Sequence, residues 1–291
     1  MKKILFIAIA SALSLTMNAQ ALFNVMASSN VTEGANTVKS GDALSSGQSL
    51  TVKSGGYLAL IHVSGKALEV REAGTYKADD LAKKLTTSES SFTMKYADFV
   101  GNKLAANEGD GHNYDVTGSV HRAIEGEVSF VSPARIQMVK DISASLTWNA
   151  VKGYKNYTIL VTTLHEEEVY VKEVSDTMIV LDLSKTELKE NETYLVQVST
   201  KDGSIKSDPT KVMLTIKSSQ DSEAIRGMVS KLSSELKDDS PIDNMLLASY
   251  YDSKGLKLNA ENSLRKAKQL APGVKDFERN YNKYLTSNGG F

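Results

Sequence analysis

Between Ser143 and Ile216 apolar and polar residues alternate with period two, and this stretch limits the possible folds more than any other. Leu146-Thr147-Trp148, Tyr154-Lys155-Asn156-Tyr157-Thr158-Ile159 and Tyr194 through Thr200 are its clearest runs, separated by turn-rich segments. Period two sends successive side chains to opposite faces of a pleat, so each run reads as an antiparallel strand with one buried face. In the third run Tyr194, Val196 and Val198 form the core face, while Leu195, Gln197 and Ser199 look away. Asp202-Gly203 then reads as a hairpin turn, because Gly tolerates positive φ, before the Val212, Leu214, Ile216 alternation. Two packed sheets are the economical closure.

A Trp on the second strand, a Tyr-rich third strand, and Leu188 six residues ahead of Tyr194 resemble a fibronectin type III domain, the last spacing being that family's tyrosine corner. Glu190 stands where the family usually carries Pro, and another small antiparallel sandwich would satisfy the same alternation. Either fold implies scaffolding or recognition, since such a fold confers no chemistry by itself.

Upstream, Val38 to Leu44, Gly47 to Val52 and Gly56 to Val63 repeat a strand and a Gly turn, extended by Leu68-Glu69-Val70 and Gly74-Thr75-Tyr76. Short strands at this spacing predict a compact β-roll. Gly41-Asp42-x-Leu44, a second Gly-led strand and Gly56 before an apolar run resemble the small β domain of the FecR family; an unrelated β-roll is the other reading. Members of that family relay signals through a membrane segment, which this chain lacks, so the resemblance does not extend to classical sigma-regulator signalling. Asp79 to Leu85 and Phe92 to Ala105 switch to helical spacing. The polar loop Asn107 to Asp115 lacks the alternating Asp or Asn ligands and distal Glu of a calcium site. Gly118 to Val131 returns to strand character, and the next unit begins near Ser132.

After the sandwich, Ser222 to Leu236 carries a helical stripe of Ile225, Met228 or Val229, Leu232 and Leu236, with Ser222 as its N-cap. Ser240-Pro241-x-Asp243 restarts a helix, because Ser caps, Pro suits the first helical position and Asp favours the positive end of the dipole. Leu247-Ala248, Tyr251, Gly255, Ala260, Leu264, Ala267 and Pro272 resemble one tetratricopeptide repeat over about residues 241–274, with Asn244 where the repeat often has Trp. One such unit cannot bury its outer faces alone. The flanking helices must cover it, the last through Val274, Phe277, Tyr281 and Tyr284 or Leu285, or a partner completes the stack. The resemblance implies an exposed side on the first repeat helix, where Ile242, Met245, Ser249 and Asp252 project as partner-binding residues. Lys254, Lys257, Arg265, Lys266, Lys268, Lys275, Arg279 and Lys283 outnumber Glu261, Asp276 and Glu278 here; this reads as a solvated helical face, with an acidic partner or lipid headgroup as the functional alternative.

Met1-Lys2-Lys3, the apolar run Ile4 to Met17 and the small residues Asn18-Ala19-Gln20-Ala21 read as a secretory signal peptide. Its Ala-Gln ending resembles exported proteins of Bacteroidetes-type bacteria. No later segment has the length for a bilayer span. The chain has no Cys, which excludes disulfides, thiolate nucleophiles, Cys-based zinc sites and a lipid-attachment cysteine. The net charge of −1 over 291 residues predicts no affinity for nucleic acid.

Motifs for catalysis are missing. Ser234-x-x-Lys237 and Ser263-x-x-Lys266 match a Ser-Lys dyad spacing without its companion motifs. The four His are scattered, and Glu166-Glu167-Glu168 reads as a solvated turn. The expectation is therefore a multidomain exported protein, periplasmic or at the cell surface, all-β and then α-helical. Residues 1–21 are the signal peptide, 22–131 a FecR-like β-roll with helices and loop, 132–218 a fibronectin type III-like sandwich, and 219–291 a helical tail. Its expected role is that of a non-catalytic envelope adaptor without cofactor or metal, binding a protein partner through the tail. The alternative is a glycan- or peptidoglycan-binding accessory in which Tyr57 or Tyr114 stacks on sugar rings.

Overall fold

The computed structural model describes residues 21–85 and 127–288. The signal segment as far as Gln20, the helix expected over Phe92 to Ala105, the loop containing Tyr114 and the strand from Gly118 as far as residue 126 lie outside the described residues. Strands in three sheets are followed by a C-terminal helical region.

The first sheet comprises β1 (Ala21–Glu33), β2 (Asn36–Thr37), β3 (Ala43–Ser45), β4 (Ser49–His62), β5 (Ala67–Val70) and β6 (Gly74–Lys77). Its order is β2-β1-β4-β5, with β3 also on β1 and β6 also on β4. The sequence reading predicts no strand ahead of Val38, yet β1 is 13 residues long. Two register shifts, between Val25 and Ala27 and between Ser29 and Val31, break its period and hide it from pattern reading. The strands expected on either side of Gly55 are one element, β4, bent there. A Cβ on Gly56 would lie 2.7 Å from the Lys53 carbonyl oxygen and 2.8 Å from Val52 Cγ1. Gly56→Ala is therefore expected to cost about 1–3 kcal/mol through overpacking, read as a lower urea midpoint with an unchanged m-value.

Both faces of this sheet are apolar. Phe23, Val25, Leu50, Val52, Leu58 and Leu60 share one core with Leu81 of α1 (Ala78–Lys83). Met26, Ala27, Tyr57, Ala59 and Ile61 belong to a second core shared with the C-terminal helices.

In the middle of the chain β7 (Arg135–Met138), β9 (Tyr157–Thr162), β10 (Glu168–Val174), β12 (Thr193–Thr200) and β13 (Met213–Ile216) form a sheet of order β10-β9-β12-β13-β7. β8 (Ala144–Thr147) pairs with β11 (Met178–Leu181). The chain first bridges Phe130 to Trp148, then crosses at Ser132-Pro133 so that β7 runs parallel to β13. One core contains residues of both sheets, including Trp148, Tyr157 and Tyr194, with the Trp148 and Tyr157 rings edge to face at 5.5 Å. Tyr194, Val196 and Val198 are all buried, and the Tyr194 hydroxyl accepts the Lys189 N–H at 2.7 Å. Tyr154 to Asn156 precede β9 rather than belonging to it. The Asp202-Gly203 turn closes a small arch, Thr200 N–H to the Ile205 carbonyl at 2.8 Å, and β13 joins β12 only further on, at Leu195 opposite Met213.

The tail has four helices among the described residues: α2 (Ser219–Glu235), α3 (Pro241–Ser253), α4 (Lys257–Leu270) and α5 (Lys275–Ser287). The N-cap of α2 is Ser218, not Ser222: its side chain accepts the Asp221 N–H, and Ser222 already lies inside the helix. Glu190, at the tyrosine-bearing corner, accepts the Ser219 N–H at 2.7 Å and also its hydroxyl, anchoring α2 to the preceding sheet. Those bonds hold the Glu190 carboxyl below its ordinary range. α3 begins as the sequence reading expects, with the Ser240 side chain accepting the Asp243 N–H and Pro241 in the first turn. Gly255, at φ 74°, turns the chain into α4. The tail touches both β units: Leu258 enters the two-sheet core, and Val139 after β7 packs with Ile225, Leu232, Tyr250 and Tyr251.

Candidate functional site

The N-terminal part of the face expected to meet a partner is covered by the chain's own first sheet. Ile242 and Met245, 1% and 4% exposed, share a core with Met26, Ala27, Tyr57, Ala59 and Ile61. Ser249 is partly buried and donates to the Met245 carbonyl at 3.1 Å. Asp252 pairs with Lys257 at 2.5 Å and accepts the Tyr284 hydroxyl at 3.0 Å. Ile242 and Met245 therefore offer no free docking surface, and Ser249 and Asp252 are partly covered. The reason is physical: the helices of the tail carry an apolar face, the sheet has a second apolar face, and each removes the other from water.

Tyr57 is likewise unavailable for sugar stacking. It is 5% exposed, with the Phe277 ring edge to face at 5.6 Å and the Arg71 guanidinium 5.4 Å from its centroid. Burial, with Glu69 beside it, pushes its hydroxyl far above the ordinary tyrosine range.

Two carboxylates lock this sheet to the tail. Glu69 on β5 accepts the Ser240 hydroxyl at 2.7 Å and the Ile242 N–H at 3.2 Å, placing negative charge at the positive end of α3. Its other oxygen pairs with Arg71 at 2.9 Å. In the opposite direction Asp276, in the first turn of α5, accepts the Ser28 N–H at 2.9 Å and pairs with Arg279. Ser28 sits between the two register shifts of β1. Neither Glu69 nor Asp276 stands out in the sequence, because each finds its partner more than 170 residues away.

A second seam joins α4 to β8. The Asn262 side chain accepts the Ser145 N–H and donates to the Ser145 carbonyl at 2.8 Å, pairing with the strand as a neighbouring residue would. Asn259 donates to the Ser143 carbonyl at 3.0 Å. Between them Glu261 is fully buried, accepting from Asn262 at 2.7 Å with Arg265 at 3.8 Å. Desolvation raises its pKa, partly offset by Arg265, Asn262 and the Tyr281 hydroxyl. A carboxyl with a raised folded pKa contributes stability in full below its unfolded value and loses it as pH rises through the folded one. Glu261→Gln is therefore expected to flatten the fall in stability that begins above about pH 4.3, the ordinary Glu value, and to match or exceed the parent chain at pH 8. Urea unfolding of both proteins across pH 4.5 to 8 measures this.

Much of the basic surplus of the tail is compensated within the molecule. Lys257 pairs with Asp252, Lys266 with Asp238, Lys268 with Glu278 and Arg279 with Asp276. The Ser-Lys spacings form no dyad in the structure: Ser234 donates to the Lys231 carbonyl and Ser263 to the Asn259 carbonyl. Among the described residues no three His, Asp or Glu side chains converge as a metal ligand set, and no helix is long and apolar enough to cross a membrane. A groove of about 250 Å³ between α2 and α3 is lined by Leu232, Leu236 and Leu247, but its polar members are occupied locally. There Asp243 accepts the Lys237 N–H, and Asn244 donates to the Asp238 and Ser240 carbonyls.

The large aliphatic side chains left exposed lie mainly on the two-sheet unit: Leu164, Val169, Val171, Met178 and Val180. Val169 and Val171 belong to β10, at the end of its sheet, and Met178 and Val180 to β11. Pattern reading from the sequence passes over them, because it assigns alternating residues to faces without showing which face stays bare. Comparison with protein-family models finds no matching family, and no curated protein matches the sequence.

Proposed function

We propose that this chain is a non-catalytic exported envelope adaptor whose helical tail fixes its two β units in one orientation and whose exposed strands at the sandwich edge meet a protein partner. The observation that carries this reading is the contrast between the two apolar surfaces. The N-terminal part of the α3 face is closed by the chain itself, whereas Val171 on β10 is 53% exposed. Large aliphatic side chains exposed together on strands at a sheet margin are typical of contact surfaces.

Within this reading residues 22–131 are FecR-like, 132–218 fibronectin type III-like, and about 241–274 a tetratricopeptide-like unit used internally. Support for the sandwich assignment comes from the Tyr194 hydroxyl on the Lys189 N–H and from Trp148 in the core. Support for the repeat comes from buried Ala248, Ala260 and Ala267, small residues that let α3 and α4 approach closely. The leading segment directs export to the periplasm or cell surface.

Crosslinked affinity purification of the tagged full chain from its native envelope tests the proposal. Defined proteins should co-purify, and they should be lost when Val169 and Val171 are both replaced by Lys. Truncation at Ser219 is a poor probe, since it would bare the sheet face that Ile242 and Phe277 cover. Recovery of no defined protein, or turnover of an ester, glycan or peptide substrate, would overturn the adaptor reading.

A further inference from the structure

The proposed adaptor role leaves the chemistry of the partner open, and β10 narrows it. β10 is the outermost strand of its sheet, and its far side pairs with no strand among the described residues. It spans 7 residues, long enough to template another strand. Natural edges are usually blunted by charge, by bulges or by brevity. This one has a register shift at its start, between Glu168 and Tyr170, and the charged pair Lys172 and Glu173 further on. Beyond the shift Val171 is 53% exposed, and Val169 within it is 37% exposed. On the same outward face Val171 lies across from Leu160, and further along the sheet Leu195 lies across from Met213, each only partly covered. An apolar strip thus runs inward from the free edge.

Charge selects the occupant. From Leu164 to Val174 the chain carries Glu166, Glu167, Glu168 and Glu173 against Lys172. Glu173 is matched by Lys201 at 2.8 Å. Glu166, Glu167 and Glu168 are exposed at the end of the β9–β10 hairpin, beside Leu164 at its tip. A second copy of this chain would bring the same surplus of carboxylates to the contact, and like charges across a strand pair are destabilising. A basic segment gains where a second copy loses.

We propose that the free edge of β10 takes up an extended segment of the partner protein, rich in β-branched residues along its length and basic at the end beside the β9–β10 turn, as a sixth strand of the sheet. Its backbone would continue the hydrogen-bonded ladder, its apolar residues would pack on Val169 and Val171, and its cations would face Glu166 to Glu168. This inference rests on the adaptor reading above.

The test uses the full chain and a fluorescein-labelled, end-capped decapeptide in which a run of Val and Thr is followed by three Lys, so that antiparallel pairing sets the lysines beside the β9–β10 turn, followed by anisotropy. Two control peptides replace Lys by Glu or carry N-methyl groups along the pairing edge. The lysine peptide should bind saturably, and each control should bind about tenfold more weakly or worse. Replacing Val169 and Val171 together by Lys should abolish binding while a single cooperative thermal transition is kept, which shows that the variant still folds. Replacing Glu166, Glu167 and Glu168 by Lys should reverse the preference toward the glutamate peptide. Equal binding of the N-methylated peptide, or binding unchanged by the valine substitutions, would overturn strand addition. Concentration-dependent dimerisation abolished by those substitutions would assign the edge to a second copy and also overturn it. If the envelope purification recovers the same proteins with and without the valine substitutions, the edge proposal fails and the adaptor reading stands. If it recovers none while the peptide still binds as expected, the adaptor reading fails instead.

Discussion

Replacing Phe277 by Ala is expected to destabilise the chain by about 3–5 kcal/mol, the largest single effect in the sheet-to-tail core. Phe277 is 1% exposed and packs edge to face on Tyr57, a geometry that adds about 0.5–1.5 kcal/mol beyond burial. Its loss leaves a cavity between β1, β4 and α5 that the sheet cannot close, because Ala59 and Ile61 are fixed by their own pairing. Native stabilities lie near 5–15 kcal/mol, so the remaining margin would be small. Urea unfolding gives the magnitude, and native-state hydrogen exchange locates it: amides of β1 and α5 should lose protection ahead of those of β9 and β12. A change below about 1 kcal/mol would mean that the two clasping carboxylates, not this core, hold the tail in place.

Asn262→Ala should cost about 2–3 kcal/mol at the other seam. Its amide satisfies both backbone groups of Ser145 and one oxygen of buried Glu261, and Ala satisfies none of them. Asn262→Asp separates the contributions. It retains an acceptor for the Ser145 N–H but loses both donated bonds and sets a carboxylate beside Glu261. Its penalty should therefore ease as pH falls and these carboxyls protonate, whereas the Ala penalty should depend less on pH. Equilibrium unfolding at pH 5 and pH 8 distinguishes them, and equal pH dependence of the two variants would remove Glu261 from the account of this seam.

Both seams bear on what a mutation in this protein reports. A substitution on α3 that abolished partner capture would not identify a contact residue, because Ile242 and Met245 also hold the first sheet. Val169 and Val171 carry less of that ambiguity, since neither belongs to a buried core.

Local signals in the sequence survive in the structure. The alternation of Tyr194, Val196 and Val198, the Ser240-Pro241 helix start and the Gly255 turn depend on backbone preference and on which side of an element is apolar. Such properties are written within a few neighbouring residues. β1 escaped pattern reading because its two register shifts reset the phase of alternation. The cap of α2 fell four residues early because several Ser in succession offer the same side chain, and only the path of the incoming chain selects Ser218.

The residues alone imply that strands precede helices, that the middle stretch buries Tyr194, Val196 and Val198, and that the tail presents an apolar face requiring cover. Only the tertiary structure decided what covers it. An amphipathic face encodes the free energy to be gained by leaving water, but not the identity of the surface it leaves water with. That identity depends on residues as distant as Ser28 and Asp276, or Glu69 and Ser240, whose complementarity exists only once both elements have formed.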